Sequence, residues 1–489
     1  MSILMLLCLI VPVVAALAIK FVKNDIKDKR KVFILSLLLE CVLVIITILD
    51  EPQGFCLFAM TDTLKVYLKI DGLSKLFMLI ASFGFLIAGV YATKYMEHEK
   101  DAFPEENFYL FYLLSLFGLI GMDMSGNLIS MYFFFEMITL LSMPLVLHEK
   151  NKEAISAALK YLFYSIAGAF LALGCIFVLA NYVKDLNFVA GGSLDLVKAK
   201  GHEGLLMTMI LLGLVGFGAK AGMYPLHGWL PTAHPVAPAP ASAVLSGIIT
   251  KAGVLAIIRI IYYVVGVSYL ANSFVQYALL TLSLITVFMG SMMAYKEKVL
   301  KKRLAYSSVS QISYVLFGLF LFNETAFVGS MMQIVFHATV KICLFLFAGS
   351  IIFNTGFHHV DELKGYGKAM PLTFICFTLA SLSLIGIPPF AGFVSKWYLA
   401  MGALNSTVEV FNFLGPVVLL ISALLTAGYL LPITIDGFFP GENVSVPKCS
   451  EGGKKMLIPL VILAALALIL GLVSGLIYPV FESLTRGLF

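Results

Sequence analysis

Apolar residues run along this chain in long blocks separated by short polar connections. About fourteen blocks are long enough to cross a hydrocarbon core about 30 Å thick. Their approximate centres are residues 12, 40, 84, 114, 136, 168, 218, 253, 283, 313, 340, 386, 422 and 467. The pattern predicts an all-α polytopic membrane protein of about 14 transmembrane helices. Thr61 to Asp71 instead alternates polar and apolar residues, and reads as a short external strand or an amphipathic segment.

Two blocks are interrupted in similar ways. GFGAKAGMYPLHGWLPTAHP (216–235) and SLIGIPPFAGFVSKWYL (383–399) place Pro and Gly where a continuous helix should run. Lys220 lies five residues before Pro225, Lys396 seven after Pro389, and both tryptophans, Trp229 and Trp397, fall here. Broken backbone at membrane depth persists only where protein or a water-filled cavity satisfies the freed groups. The breaks are about 164 residues, or five helices, apart. Five is odd, so spans four to eight and nine to thirteen predict two inverted five-helix repeats with broken helices 7 and 12. Lys160 and Lys341, each one helix before its break, fit that pairing. The expected organisation is an N-terminal three-helix region (1–100), a first repeat (101–267), a second repeat (268–437), and a loop with helix 14 (438–489). Proline kinks that serve packing alone are the alternative.

Composition narrows the function classes. The chain has 489 residues, 60% hydrophobic and 12% charged, with a mean hydropathy of +0.98. A soluble domain carries about 25% charge. Short connections leave no room for a soluble catalytic domain, so the chain is expected to hold no cofactor, and redox chemistry would come from a partner. The net charge of +5 reads as topology, not as nucleic-acid binding. Lys20, Lys23, Lys27, Lys29, Arg30 and Lys31 follow the first apolar stretch, the reverse of a cleaved signal peptide. Together with Lys296, Lys298, Lys301, Lys302 and Arg303 they predict both termini outside. The seven cysteines lack a CxxC pair and suggest neither a metal site nor a disulfide framework.

Charges inside the apolar blocks are the candidate chemistry: Glu136, Lys160, Lys220, Lys251, Arg259, Lys341 and Lys396. Each costs roughly 2.5–3.5 kcal/mol on insertion scales. Almost all are basic, which points to groups that trade protons rather than to a simple cation hole. Glu136 and Lys220 would ionise together when close and release a proton when parted; a static buried ion pair is the alternative. Lys251 reads as a relay. Arg259 cannot lose its proton and reads as a fixed charge. His337 and Lys341, one turn apart, share a helix face and suggest a wet path. His227 and His234 are candidate proton-exchanging residues near a mouth; a metal there would want further ligands. Tyr306, Ser307, Ser308, Ser310, Gln311 and Ser313 would bind channel water or glue helices. Glu40 is a mid-span acid that is functional or satisfied by a polar partner. His98, His148, His202, His358 and His359 read as loop residues.

These residues sit in recognisable segments: FFFEMITLLSMPLV, GFGAKAGMYPLHGWLPTAHPVAPAPASAVLSGIITKAGVLAIIRI, LKKRLAYSSVSQISY, FHATVKICLFLFAGSI and IGIPPFAGFVSKW. The chain resembles the antiporter-like family shared by respiratory complex I, Mrp-type cation/proton antiporters and energy-converting membrane hydrogenases. The resemblance covers about residues 133 to 397. It implies fourteen helices, two inverted repeats and a polar axis through the membrane centre. By position it implies that Glu136 and Lys220 are the switch pair, Lys251 the central relay, His337 and Lys341 the link, and Lys396 the terminal lysine, where some members carry glutamate. Lys160, His227 and His234 are secondary candidates. The chain ends soon after the fourteenth span, without the long lateral helix of the largest complex I member. The expectation is a proton-translocating subunit of a redox-driven complex in a prokaryotic plasma membrane, with other membrane subunits and peripheral iron–sulfur subunits as partners. A Mrp D-type subunit exchanging Na+ for protons, a stand-alone solute transporter and a scaffold with structural charges are the rivals.

Overall fold

The computed structural model describes residues 3–22, 25–61, 64–97, 104–441 and 448–489. His98, Lys23 and the expected boundary at residue 100 lie outside the described residues. The chain is helical almost throughout. In order it forms α1 (Ile3–Phe21), α2 (Ile26–Asp50), α3 (Gly72–Tyr95), α4 (Glu105–Asp123), α5 (Leu128–Val146), α6 (Lys152–Tyr182), α7 (Glu203–Ala221), α8 (Leu230–Val236) and α9 (Ala239–Val265). Then follow α10 (Phe274–Lys296), α11 (Leu300–Phe320), α12 (Glu324–Thr355), α13 (Pro371–Ile385), α14 (Ala391–Leu404), α15 (Glu409–Phe438), α16 (Lys454–Leu472) and the short α17 (Ser474–Ser483). Among the described residues, 11 helices are long and apolar enough to cross a membrane. Helices α4 and α11 fall outside that group; α11 opens LKKRLAYSSVSQISY, and this polar content lowers its hydropathy.

Helix starts follow local sequence. Asp71, Asn127, Asn151 and Asn323 each accept from the backbone N–H three residues on, at the start of α3, α5, α6 and α12. The alternating stretch contributes a strand: β1 (Phe55–Ala59) pairs antiparallel with β2 (Lys65–Leu68), Phe55 opposite Leu68. Residues 62 and 63 of that stretch are not described.

Burial sorts the helices into centre and rim. In α9 and α12 the apolar windows are 100% and 94% buried, against 33% in α1, α2 and α15. Rim helices turn Leu35, Leu49 and Leu424 outward, as lipid-facing residues do. The centre therefore falls on the two helices that carry Lys251, His337 and Lys341.

The two interrupted spans are built alike. Helix α7 ends at Gly222 (φ 82°) and α13 at Gly386 (φ 94°), and in each a proline follows three residues later. Left-handed backbone at a helix end favours glycine. At Gly222 a Cβ would also collide with Leu230 Cδ1. A side chain beyond each break takes up the freed carbonyls: Trp229 Nε1 donates to Ala219 O at 2.8 Å, and Lys396 Nζ donates to Leu384 O at 2.6 Å and Ile385 O at 2.9 Å. The lysines themselves are not equivalent. Counted from the prolines, Thr232 stands where α14 has Lys396, and Leu384 stands where α7 has Lys220.

Arg259 locks the N-terminal helices to the centre. Its guanidinium makes a bidentate pair with Asp71, at 2.5 and 2.9 Å, and stacks on Phe188 and Tyr263. Burial alone would raise the Asp71 carboxyl, but the guanidinium outweighs it and holds Asp71 down to about 2. Because the folded value is depressed, the pair's stabilisation is complete above the ordinary value of 3.8 and is lost as pH falls through about 2. Asp71→Asn strands a charge that is only 2% exposed, a loss of roughly 3–5 kcal/mol. The expected result is a lower melting temperature in detergent at neutral pH, with the deficit vanishing toward pH 2. An unchanged melting temperature at neutral pH would remove the clamp role.

Candidate functional site: a buried basic row

Lys251, in the middle of α9, is 3% exposed. Its Nζ donates to Ser246 O at 2.7 Å and lies 2.9 Å from His337 Nδ1. The Ser246 carbonyl is available because Leu245–Ile249 is a π-helical turn, which displaces the usual ladder of helix hydrogen bonds. Ser246 Oγ in turn meets Ser308 Oγ of α11 at 2.6 Å. One turn along α12 from His337, Lys341 donates to Leu304 O at 3.0 Å and to Ser307 Oγ. Of the tenth-span serines, Ser307 is thus a ligand of the row, whereas Ser310 joins Ser291 of α10 and Ser422 of α15 as helix glue; Gln311 accepts from Gln333 Nε2 at 3.1 Å.

Lys396 closes the row at the twelfth span. Its two carbonyl acceptors are freed at the buried C-terminal end of α13, where the helix dipole favours a cation. The Lys396 ammonium also lies 5.0 Å from the Tyr314 ring centre. It is half-buried and edges a cavity of about 280 Å³ with Tyr314, Phe393, Trp397 and Leu420. Ser395, its neighbour, donates to Gln333 Oε1 at 2.5 Å.

Lys220 is fully buried but does not ion-pair with Glu136. It donates to Thr139 Oγ1 at 2.6 Å and Phe135 O at 3.2 Å, with the Phe135 ring centre 4.5 Å away. Phe135 and Thr139 are one helical turn apart and face α7; Glu136 is rotated about 100° from Phe135. Glu136 Oε1 is buried without a hydrogen-bond partner. The residue edges a crevice of about 270 Å³ with Tyr132, Phe133, Leu140, Leu173 and Phe177. Glu136 stays within electrostatic reach of Lys220, so their relation is through the field and not through contact.

The secondary candidates divide. Lys160 donates to Thr232 Oγ1 at 3.0 Å. His227 is partly exposed and stacks on Tyr224, as a mouth residue would. His234 is fully buried against Phe345, with both ring nitrogens lacking a hydrogen-bond partner, so it does not sit at a mouth. His148 is in a loop, yet 1% exposed and packed edge-on against Phe108. Glu40 found no polar partner: both its carboxyl oxygens are buried and unmatched. All seven cysteines are free. No group of three or more His, Cys, Asp or Glu able to hold a metal occurs among the described residues.

Four neighbours of the candidate residues went unread in the sequence: Thr139, Thr232, Gln333 and Ser395. Gln333 alone had a usable signal, an amide at bilayer depth one turn from His337. A row of basic groups held by carbonyls, hydroxyls and one another, with no carboxylate among the described residues in contact, is suited to protonation exchange. Each site accepts both a charged and a neutral nitrogen without a fixed counter-ion. Unmatched buried polar atoms along it, His337 Nε2, Gln311 Nε2 and Ser313 Oγ, are the kind that internal water satisfies.

Known proteins resemble this chain in sequence and fold. Residues 125–426 match the family described as NADH:quinone oxidoreductase/Mrp antiporter, TM. NADH-quinone oxidoreductase subunit N of Desulforudis audaxviator is 33% identical over 443 residues, 86% of this chain and 85% of that protein. The D-type subunit of the Na(+)/H(+) antiporter of Alkalihalophilus pseudofirmus is 28% identical, over 85% of this chain and 82% of the other. A chain of the membrane-bound sulfane sulfur reductase, an archaeal respiratory membrane complex, superposes with a TM-score of 0.86 at 21% identity, covering 99% of this chain and 97% of that one. That superposition establishes the same polytopic helical fold, and the chain belongs to the NADH:quinone oxidoreductase/Mrp antiporter transmembrane family.

Proposed function

We propose that this chain is a proton-translocating membrane subunit of a multisubunit redox-driven complex. The observation that carries the reading is the buried contact of Lys251 with His337, 2.9 Å apart, with Lys341 one turn along α12 and the Lys396 ammonium at the end of α13. Two basic nitrogens this close favour one proton between them over two, which is the condition for a hop. In this reading Lys220 loads the row under the field of Glu136, Lys251 and His337 pass the proton, Lys341 extends the link, and Lys396 is the outlet. The similarly built breaks support α4–α9 and α10–α15 as the two inverted repeats. The chain binds no cofactor itself; other membrane subunits and peripheral iron–sulfur subunits supply the redox step. Its place is a prokaryotic plasma membrane with both termini outside.

The D-type antiporter relative supports a second reading, Na+/H+ exchange without a redox partner. Purification with partners separates the two, by whether iron–sulfur proteins or only small membrane chains come along. For either, the isolated chain in proteoliposomes is expected to show no redox turnover. In the assembled complex, Lys220→Ala is expected to abolish proton translocation at normal assembly. Full translocation by that variant would falsify the reading.

A further inference from the structure

Glu136, rotated away from Lys220, edges a crevice of about 270 Å³ between α5 and α6. Met60 of the β-hairpin and Ile129, near the start of α5, line it as well. Glu136 is seven residues beyond Ile129, so the crevice runs roughly 10 Å from the hairpin end into the membrane. Met60 and Phe177 along it are exposed, which opens it to the lipid-facing rim and, at the hairpin, to the membrane surface.

The lining combines one carboxyl with apolar and aromatic walls. Glu136 Oε1 is buried without a hydrogen-bond partner, and the Tyr132 hydroxyl, one turn away, is within reach of the carboxyl. Tyr132, Phe133 and Phe177 bring aromatic rings to the same space, and ring faces attract cations. The rest of the lining is aliphatic, with no other hydrogen-bonding side chain. An acyl chain would fill this volume and leave Oε1 unmatched. A hydrated metal ion would set its water against apolar walls. A small organic cation with an apolar body suits both the carboxyl and the walls. Lys220, across α5, is the other positive group in the field of this carboxyl. A cation in the crevice and a proton on Lys220 therefore compete for one negative charge, and each weakens the binding of the other.

We infer that the Glu136 crevice is a binding site for small lipophilic quaternary ammonium ions, and that its occupation holds Lys220 unprotonated. The binding stands apart from the translocation reading; only its effect on pumping rests on that reading.

Binding of labelled benzyltrimethylammonium to the assembled complex in lipid nanodiscs tests it. The probe has an aromatic body, a fixed charge and no proton to carry, so it does not dissipate a gradient as a free amine does. Sites elsewhere in the complex are common to variant and wild type, so the difference between them reports this crevice. We expect saturable binding that weakens about tenfold in Glu136→Gln, which keeps the shape and drops the charge. Leu173→Trp, which fills the crevice from α6, should weaken it at least as much and, without probe, pump as wild type does. Neopentylbenzene, the neutral carbon analogue, should not displace the probe. Equal affinity in wild type and Glu136→Gln overturns the site. So does displacement by neopentylbenzene as effective as by unlabelled probe, because the crevice then takes any apolar chain, lipid included. If Leu173→Trp does not assemble, Phe177→Ala replaces it, with an expected loss of about threefold. Proton pumping in vesicles at the same probe concentrations tells the failures apart. Probe that binds and leaves pumping untouched keeps the site and overturns its hold on Lys220. No binding, in a complex that Lys220→Ala inactivates, removes the site and leaves the translocation reading standing.

Discussion

Lys251→Met is expected to cut proton translocation by the assembled complex on the order of 100-fold, the scale of removing a positioned proton-exchanging group. Methionine keeps the unbranched stem and its packing in α9, which is buried along its whole apolar window, so assembly should survive. What disappears is the proton-exchanging partner of His337 Nδ1 and the donor to Ser246 O. Lys341 does not take its place, because its ammonium is held by Ser307 and Leu304 of α11 and not by His337. The expected signature is an assembled complex whose redox or sodium-driven partner reaction is uncoupled or stalled and whose vesicles fail to acidify. Normal acidification by Lys251→Met vesicles would mean that protons bypass α9 altogether.

Much of this was legible in the sequence because hydrocarbon leaves few choices. A backbone that must satisfy itself becomes helical, and a lysine kept in that setting needs a reason to be there. That logic located the apolar spans, both breaks and the lysines that turned out to be central. It was weaker on partners. Hydrophobic blocks specify that a helix crosses the membrane, but not which of its faces meets which neighbour. Glu136 and Lys220 look like a natural pair by charge, yet α5 presents Phe135 and Thr139 to α7, and a rotation of one residue separates contact from proximity. Thr139 and Ser395 are unremarkable as single letters and become significant only once two helices are brought side by side. The same holds for Asp71, whose partner Arg259 is 188 residues away in the chain. Burial misled in both directions: neighbouring prolines and polar residues make His234 and His148 look accessible, yet both are buried, while Lys160 and Lys396, inside apolar blocks, are only half-buried.

Lys396 distinguishes a deprotonating outlet from a fixed charge, and the carbonyl end of α13 sets what each substitution does. Lys396→Ala leaves Leu384 O and Ile385 O without their donor and removes the last proton site, so translocation should fall on the order of 100-fold. Arginine can still donate to both carbonyls and still favours the helix end, but it stays charged at any useful pH. Lys396→Arg should therefore assemble well and translocate no better than alanine. Glutamate reverses the electrostatics: an ionised carboxylate faces two carbonyl oxygens and the unfavourable end of a helix dipole. Only the neutral acid, donating its one proton to a carbonyl, fits there. Lys396→Glu is expected to retain partial translocation that grows as pH falls, opposite in trend to a lysine outlet, which must lose its proton. Proton pumping by intact complexes, normalised to assembled protein across pH, reads all three. Full pumping by Lys396→Arg would show that the site needs only a permanent charge, and the row would then have to end at His337 or Lys341.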